Sequence, residues 1–556
     1  GRGDIVWNSV PYTVESETMT RELFETCLLL SKRLDKKYNK QTIAAKMTDV
    51  PGHTRSIIDP MYDAGIRLLH VGINSACPLP SVPTFCRWRS PSGNDLLLVY
   101  QKDYGEDEVL PDGKTVVSIN FTGDNHGPHS YERVKKIYAD LRKRYPQAQL
   151  VGASFNDVAR ELLLIKKDLP VVTSEIGDTW IFGYGGAPIR MAKFRAVSRL
   201  YSQWLNEGKI KKDSDVALDF AAELGLIAEH TQGVDVKTHL RQWDKYDMDK
   251  FLKGRSEGVF SMAEASWKEI DNYIDSAIAF LPASLQKEAR EVVAEVDKVK
   301  LEDNSKMKPM ARKRWEQPIA GGMILAGLSY QMFDGDDYDD FQNRYLRARY
   351  EWALDDLGKR GLKESHAVSV TLYAQTMAQS VRKEKKGTRI ITELRFPENE
   401  KVDKRVYPER IQVNCFTTKN GKRSEVALTV YGKPTVRLPE SYWLSFTVPG
   451  IESVIAEKMG ERVDLMDVVE KGNRQMHGID RYVDLITSGE TIRISSKEAF
   501  LLNVGEAQGL NYSTNYPDKH KGVHFNLNNN LWGTNFSMWN EGSLTYHFVI
   551  ETLNHK

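Results

Sequence analysis

The stretch TIAAKMTDVPGHTRSIIDPMYDAGIRLLHVGI, residues 42–73, decides the fold class. A short apolar run ends in Asp49, and Pro51 and Gly52 turn the chain. TRSIIDPMYDAG then carries helical spacing with Gly65 as its stop, and IRLLHVGI returns as a strand. Strand, loop, helix and strand in succession predict a mostly parallel sheet. Outward from this unit, TMTRELFETCLLLSKRLDKKY ahead of it reads as an amphipathic helix. LLLVYQ, TVVSINF and AQLVGAS behind it read as strands, with SYERVKKIYADLRKRY as a helix between the last two. Residues 1–187 are therefore expected to form an α/β domain.

Over residues 188–387 the period changes to 3.6, in runs such as APIRMAKFRAVSRLYSQWL, MAEASWKEIDNYIDSAIAFL and YDDFQNRYLRARYEWALDDLG, so a helical bundle is expected. From 388 to 556 short alternating runs such as RIITELRF, RIQVNCFT, EVALTVYG and TYHFVIE predict an antiparallel β-sandwich. No period of 20 to 50 residues recurs, which excludes repeat architectures.

With 556 residues, 41% hydrophobic, the chain can bury more than one core. Lys and Arg number 77 against 76 Asp and Glu, so no net field draws it to nucleic acid or to an anionic membrane. Without a run of 18 apolar residues, no membrane span is expected. Cys27, Cys77, Cys86 and Cys415 form no CxxC pair and no zinc-ribbon spacing, and buried free thiols are expected of them. Sequons at Asn120, Asn511 and Asn535 are compatible with a secreted or periplasmic protein.

Chemistry is sought at strand ends. Asp49 lies where loops converge in a parallel sheet, although an Asp before a helix also caps it. Glu229-His230-Thr-Gln-Gly233 closes a helix, where a His serves either as a ligand or as a cation on the helix dipole. Asn120-Phe-Thr-Gly-Asp124-Asn125-His126-Gly127 converges three polar groups on one turn, or satisfies an Asx-turn. Trp180 and Tyr184 stand in an aromatic-rich loop, suited equally to a sugar subsite and to packing. Arg87 and Trp88 pair a guanidinium with an indole, which suits an acidic sugar, although a strand with surface Arg residues explains the run as simply. From the β region, Arg474 and His477 are the candidates to reach a cleft.

Asp49-Val-Pro-Gly-His53, the Gly123-Asp124-Asn125 turn, the loop of Trp180 and Tyr184, and Glu229-His230-Thr-Gln-Gly233 resemble, in order, segments of the α-mannosidase-like glycoside hydrolases of family 38. The ending Asn529-Asn-Leu-Trp532-Gly-Thr-Asn535-Phe is similar to that of family-38-like proteins of bacteria and fungi. The resemblance implies an incomplete (β/α) barrel-like catalytic domain, then the bundle and the β domain. It implies Asp49 as nucleophile and metal ligand, His53 beside it, and His230 as second ligand of a divalent metal, most simply zinc. Asn125 replaces the family's second Asp, so Asp124 or His126 inherits the acid/base role. The family's first strand supplies a His-x-Asp motif that does not stand ahead of Asp49 here, so a separate N-terminal fragment is an expected partner. The implied function is a metal-dependent retaining glycoside hydrolase acting on an oligo- or polysaccharide. The alternatives are a polysaccharide lyase whose Arg87 or Arg474 grips a uronic acid, and an inactive glycan-binding protein.

Overall fold

The computed structural model describes residues 5–123, 126–303, 305, 307–533 and 535–553. Thr20 accepts the amide of Leu23 to start helix α1 (Arg21–Tyr38), and Asn39, left-handed at φ 51°, ends it. Leu23, Phe24, Cys27 and Leu28 turn into the core. After α1 come strand β1 (Ala44–Asp49), helix α2 (Ile58–Asp63) and strand β2 (Leu68–Ile73). Strands β3 (Phe85–Arg89) and β4 (Asp95–Lys102) follow, then helices α3 (Tyr131–Arg144) and α4 (Phe155–Leu164) and the two-residue strand β5 (Val171–Val172).

The five strands lie in the order β1-β2-β4-β3-β5. β1, β2 and β4 run parallel, Asp49 opposite Ile73 and Gly72 opposite Gln101, while β3 is antiparallel to β4. β2 is wholly buried and β4 buried but for Lys102, as central strands covered on both faces must be. The sheet is open, with β1 and β5 at its edges, so the expected barrel does not close among the described residues. TVVSINF contributes only Val116–Val117, paired to Glu108–Val109 away from the main sheet, and AQLVGAS contributes no strand. Both segments instead wall a groove beside β1.

Helices α5 (Pro188–Asn206) and α6 (Asp215–Leu224), with the helices Ser261–Ala279 and Ala283–Asp297, form the helical layer. One apolar core runs from Leu28 and Ile57 through Trp180 and Tyr201 to Trp443 and Trp532, so α/β, helical and β regions are packed as one body. Burying each such large side chain stabilises by about 1.5–3 kcal/mol, which makes these rings the main join between regions.

Strands begin before residue 388: Lys308–Pro309, Gln317–Pro318, Ile324–Met332, Val370–Tyr373 and Gln375–Lys383 all lie inside the stretch expected to be helical. Periodicity alone does not separate a buried strand from a buried helix segment, and pairing of Ile324–Met332 with Glu440–Thr447 decides it. The run YDDFQNRYLRARYEWALDDLG is two helices, Gly335–Tyr345 and Glu351–Asp356. The break has a tertiary cause, since Arg347 N–H donates to the Ala76 carbonyl at 2.9 Å and its Nε to that of Cys77 at 3.2 Å. Two antiparallel sheets, of seven and ten strands among the described residues, close on a second core containing Leu325, Tyr330, Val413, Leu428 and Phe548. All four cysteines are buried and free. Among the described residues no helix is long and apolar enough to cross a membrane.

Candidate active site

Three consecutive parallel strands deliver their C-terminal ends to one place, where loops and chain ends collect polar groups. β1 ends in Asp49, Asn74 follows β2, and Tyr104 follows β4. The Tyr104 hydroxyl donates to Asp49 Oδ1 at 2.6 Å, and the Asn74 amide donates to the same oxygen at 2.9 Å. The Asn74 backbone N–H donates to the Asp49 carbonyl at 2.9 Å. Asp49 sits at φ 88°, a region that costs a non-glycine residue about 1–3 kcal/mol and is kept where surroundings over-determine it. Asp103, Tyr104 and Gly105 make a left-handed turn, at φ 57°, 68° and 126°, that brings the tyrosine back over the sheet.

His230 arrives from the helical layer. Its N–H donates to the Thr13 carbonyl at 3.2 Å, and its Nε2 lies 3.2 Å from Asp49 Oδ2. On the other side Nδ1 faces Glu229 Oε1 at 2.6 Å. Burial works against charge on both partners, but the pairing overrides it. His230, drawn by Asp49 and Glu229, is pushed up to about 10, and Asp49, held by His230, Tyr104 and Asn74, stays below the ordinary carboxylate range. The site is thus a carboxylate against an imidazolium.

Tyr184, buried, donates to the Glu229 carbonyl at 2.8 Å and so fixes the turn that carries His230. Trp180 lies with its ring centroid 6.1 Å from that of His230 and its Nε1 bonded to Cys77 Sγ at 3.1 Å. Both aromatic residues back the site, and at 1% exposure neither offers a face to a sugar. His53 is buried behind it, 3.5 Å from the Ser16 hydroxyl, and burial with the neighbouring His230 charge pushes it down to about 3.

The remaining candidates go elsewhere. Trp88 is fully buried with Nε1 on the Ser174 carbonyl. Arg87 is engaged by the Leu169 carbonyl and by Asp95. Arg474 holds the carbonyls of Thr514, Val468 and Val469, and His477 is bonded to the Arg474 carbonyl. Burial obliges the polar groups of Trp88, Arg474 and His477 to find internal partners, while Arg87 is half-buried at the sheet surface. His126 is exposed on its loop, and Asp124 lies outside the described residues.

Sequence reasoning missed Tyr104 and Asn74, whose signal was position alone: each follows the C-terminal end of a strand parallel to β1. It also missed a buried acid cluster behind His230. Glu15, wholly buried, bonds through its N–H to the Ala228 carbonyl at 2.8 Å and lies against Asp178. If both carboxyls were ionised, neither Glu15 oxygen would have a donor. Burial accordingly raises both groups, Glu15 further because of the Asp178 charge. Lys458 pairs with Glu17 at 2.8 Å and with Glu175 at 3.2 Å, yet burial still pushes Glu17 up to about 7.

Asp49 Oδ2 and His230 Nε2 would be two donors to a metal, and a catalytic zinc site usually takes three from the protein. No group of three His, Cys, Asp or Glu side chains among the described residues is placed to hold one. The described residues therefore do not make up a zinc site.

Across 98% of its length the chain superposes on the crystal structure of an α-mannosidase from Enterococcus faecalis V583, at 10% identity, TM-score 0.57 and 78% of that chain. The fold is family 38-like. A crystal structure of a protein in glycosyl hydrolase family 38 from Enterococcus faecalis also aligns, at 8% identity, TM-score 0.46, with 98% of this chain and 77% of that one covered. Residues 185–319 match the family model described as a domain of unknown function, DUF5054. No curated protein sequence matches the chain.

Proposed function

We propose that this chain is a carbohydrate-active enzyme cleaving glycosidic bonds, with Asp49 as the reacting carboxylate. The supporting observation is the Asp49–His230 pair, ionised and strained at the C-terminal edge of a parallel sheet. A groove adjoins it at Thr13 and Thr48. Asp49 would stabilise or attack the anomeric carbon, and Tyr104 and Asn74 would hold its orientation. His230 carries a proton beside it, and Glu229 fixes that imidazole from behind. In a retaining mechanism a second carboxyl group stands about 5–5.5 Å from the nucleophile, a role for which Asp124 remains the candidate.

A panel of aryl glycosides tests this. Wild type should release aglycone from at least one, and Asp49→Asn should lower turnover by about 10³-fold or more without loss of fold. Undiminished turnover in Asp49→Asn refutes the assignment.

One observation favours a second reading, glycan binding without turnover. Three donors already engage the Asp49 carboxylate, two of them on Oδ1, and a nucleophile so engaged is weakened. Glycan binding with no product from any glycoside would identify it.

A further inference from the structure

A cavity of about 1370 Å³ opens along the free edge of β1, between that strand and helices α3 and α4. Helix α3 buries none of its residues, and its Val134, Ile137 and Leu141 form one wall. The strand edge itself is not open for pairing. Asn8 bonds both the N–H and the carbonyl of Lys46 at 2.8 Å, Ser9 N–H meets the Ala44 carbonyl, and the Thr13 hydroxyl meets Thr48 N–H.

Into this cavity β1 sends Lys46. Its ammonium donates to His70 Nδ1 at 3.0 Å and to the Tyr104 carbonyl at 3.2 Å, 5.8 Å from the centre of the Phe155 ring. His70 is buried on β2, and its Nε2 lies 2.9 Å from Gln101 Oε1 on β4. An amide oxygen only accepts, so Nε2 carries the hydrogen and Nδ1 presents a lone pair to Lys46. Burial and the Lys46 charge keep that imidazole neutral, down to about 3. Three side chains on three adjacent strands thus aim an ammonium without neutralising it. No carboxylate among the described residues lies within ion-pair distance of Lys46. Of the acids lining the cavity, Asp157 is engaged by Ser154 and Arg160, and Glu161 sits on the exposed face of α4. A half-buried cation without a counter-ion is costly, and burial lowers the Lys46 ammonium to about 8.

We propose that Lys46 anchors an anionic substituent, a carboxylate or a sulfate ester, of a sugar bound in this cavity. The proposal rests on the carbohydrate reading of the neighbouring site and adds a substrate class to it. An ammonium holding two acceptors has a third N–H for a ligand oxygen, and the anion supplies the charge that the protein withholds. The rest of the lining suits a sugar: Tyr138 and Phe155 give rings for pyranose faces, and Gln149 and the side-chain NH2 of Asn156 give amide groups for hydroxyls. Tyr104 links anchor to reaction site, accepting from Lys46 on its carbonyl and donating to Asp49 from its hydroxyl.

The test is titration of the full chain with three labelled oligosaccharides of equal length, one carrying uronic acid, one sulfated and one neutral, at low and at high salt. At least one charged glycan should bind ten- to a hundredfold more tightly than the neutral one, as expected of a hydrogen bond to a charged group. Lys46→Met should erase that preference, and Lys46→Arg should keep part of it. The stronger of the two charged glycans identifies the anion. Equal binding of charged and neutral glycans by wild type, binding of none, or an unaltered preference in Lys46→Met overturns the proposal. Should Lys46→Met not fold, Lys46→Gln decides in its place. Aryl glycoside turnover is measured alongside. Preference without turnover leaves the anchor and removes the enzyme, and turnover without preference does the reverse.

Discussion

The Tyr104 hydroxyl reaches Asp49 at 2.6 Å only because residue 72 is glycine. A Cβ on Gly72 would stand 2.7 Å from Tyr104 Cα, inside the left-handed turn that carries the tyrosine. The pairing of β2 with β4 brings that turn down against Gly72, so sheet register and site geometry are one feature.

Gly72→Ala should therefore damage the site out of proportion to its size. The obstructing atoms are backbone and do not swing aside, so the turn must shift and Tyr104 must leave Asp49. Turnover or glycan binding should fall to near the Tyr104→Phe level, with a lower melting temperature. A variant indistinguishable from wild type in both measurements would mean that the turn yields without cost.

Tyr104→Phe removes one hydrogen bond to a charged oxygen, a loss of about 1.5–3 kcal/mol. The Asp49 carboxyl should titrate higher, moving the acidic limb of any pH–activity profile to higher pH. An acidic limb that stays in place while stability drops would show the bond to be structural alone.

The Asp49–His230 pair sets a pH window. His230, raised from 6.5 to about 10, contributes stability fully present below pH 6.5 and lost as pH rises through about 10. Asp49, lowered from 3.8, contributes stability present above pH 3.8 and lost as pH falls through its folded value. The stability difference between wild type and His230→Asn should thus be greatest between about pH 4 and 6.5 and shrink on both sides. Chemical denaturation across pH 3–10 measures it, and a flat difference would dissociate His230 from Asp49.

Glu15 and Asp178 run the other way. Both are raised, so the folded state is favoured at low pH and loses that advantage as pH climbs through their folded values. Glu15→Gln keeps the shape and supplies a permanent N–H to Asp178. It should leave the melting temperature unchanged at pH 5 and raise it at pH 8. A fall at both values would mean that Glu15 is ionised in the native protein.

Much of this was legible in the residues. Turn chemistry at Pro51 and Gly52, with flanking apolar runs, placed Asp49 at a strand end. Helical spacing running up to Gly233 placed His230 at a helix end, although α6 itself stops at Leu224 and a 3-10 turn, Gly225–Ala228, intervenes. The helical reading of Ile324–Met332 went astray because this nine-residue, mostly apolar run, broken by Ser329 and Gln331, has no preferred period until a partner strand appears. Trp88, Arg87, Arg474 and His477 had the right chemistry for a cleft, but chemistry does not say which side of a strand or loop faces inward.

The resemblance to family 38 segments put Asp49 and His230 forward together, and the sequence by itself determined the parallel unit around residues 42–73 and the helical and β regions. Local spacing carries those signals, since periodicity and capping act within a few residues. Tertiary structure alone decided that Tyr104 and Asn74 hold Asp49 and that Glu15 lies against Asp178. It decided too that Lys46 faces a neutral His70 across the sheet. Those partners are 24 to 163 residues apart, brought together by strand order and burial, and no local pattern records which distant group will complete a buried charge.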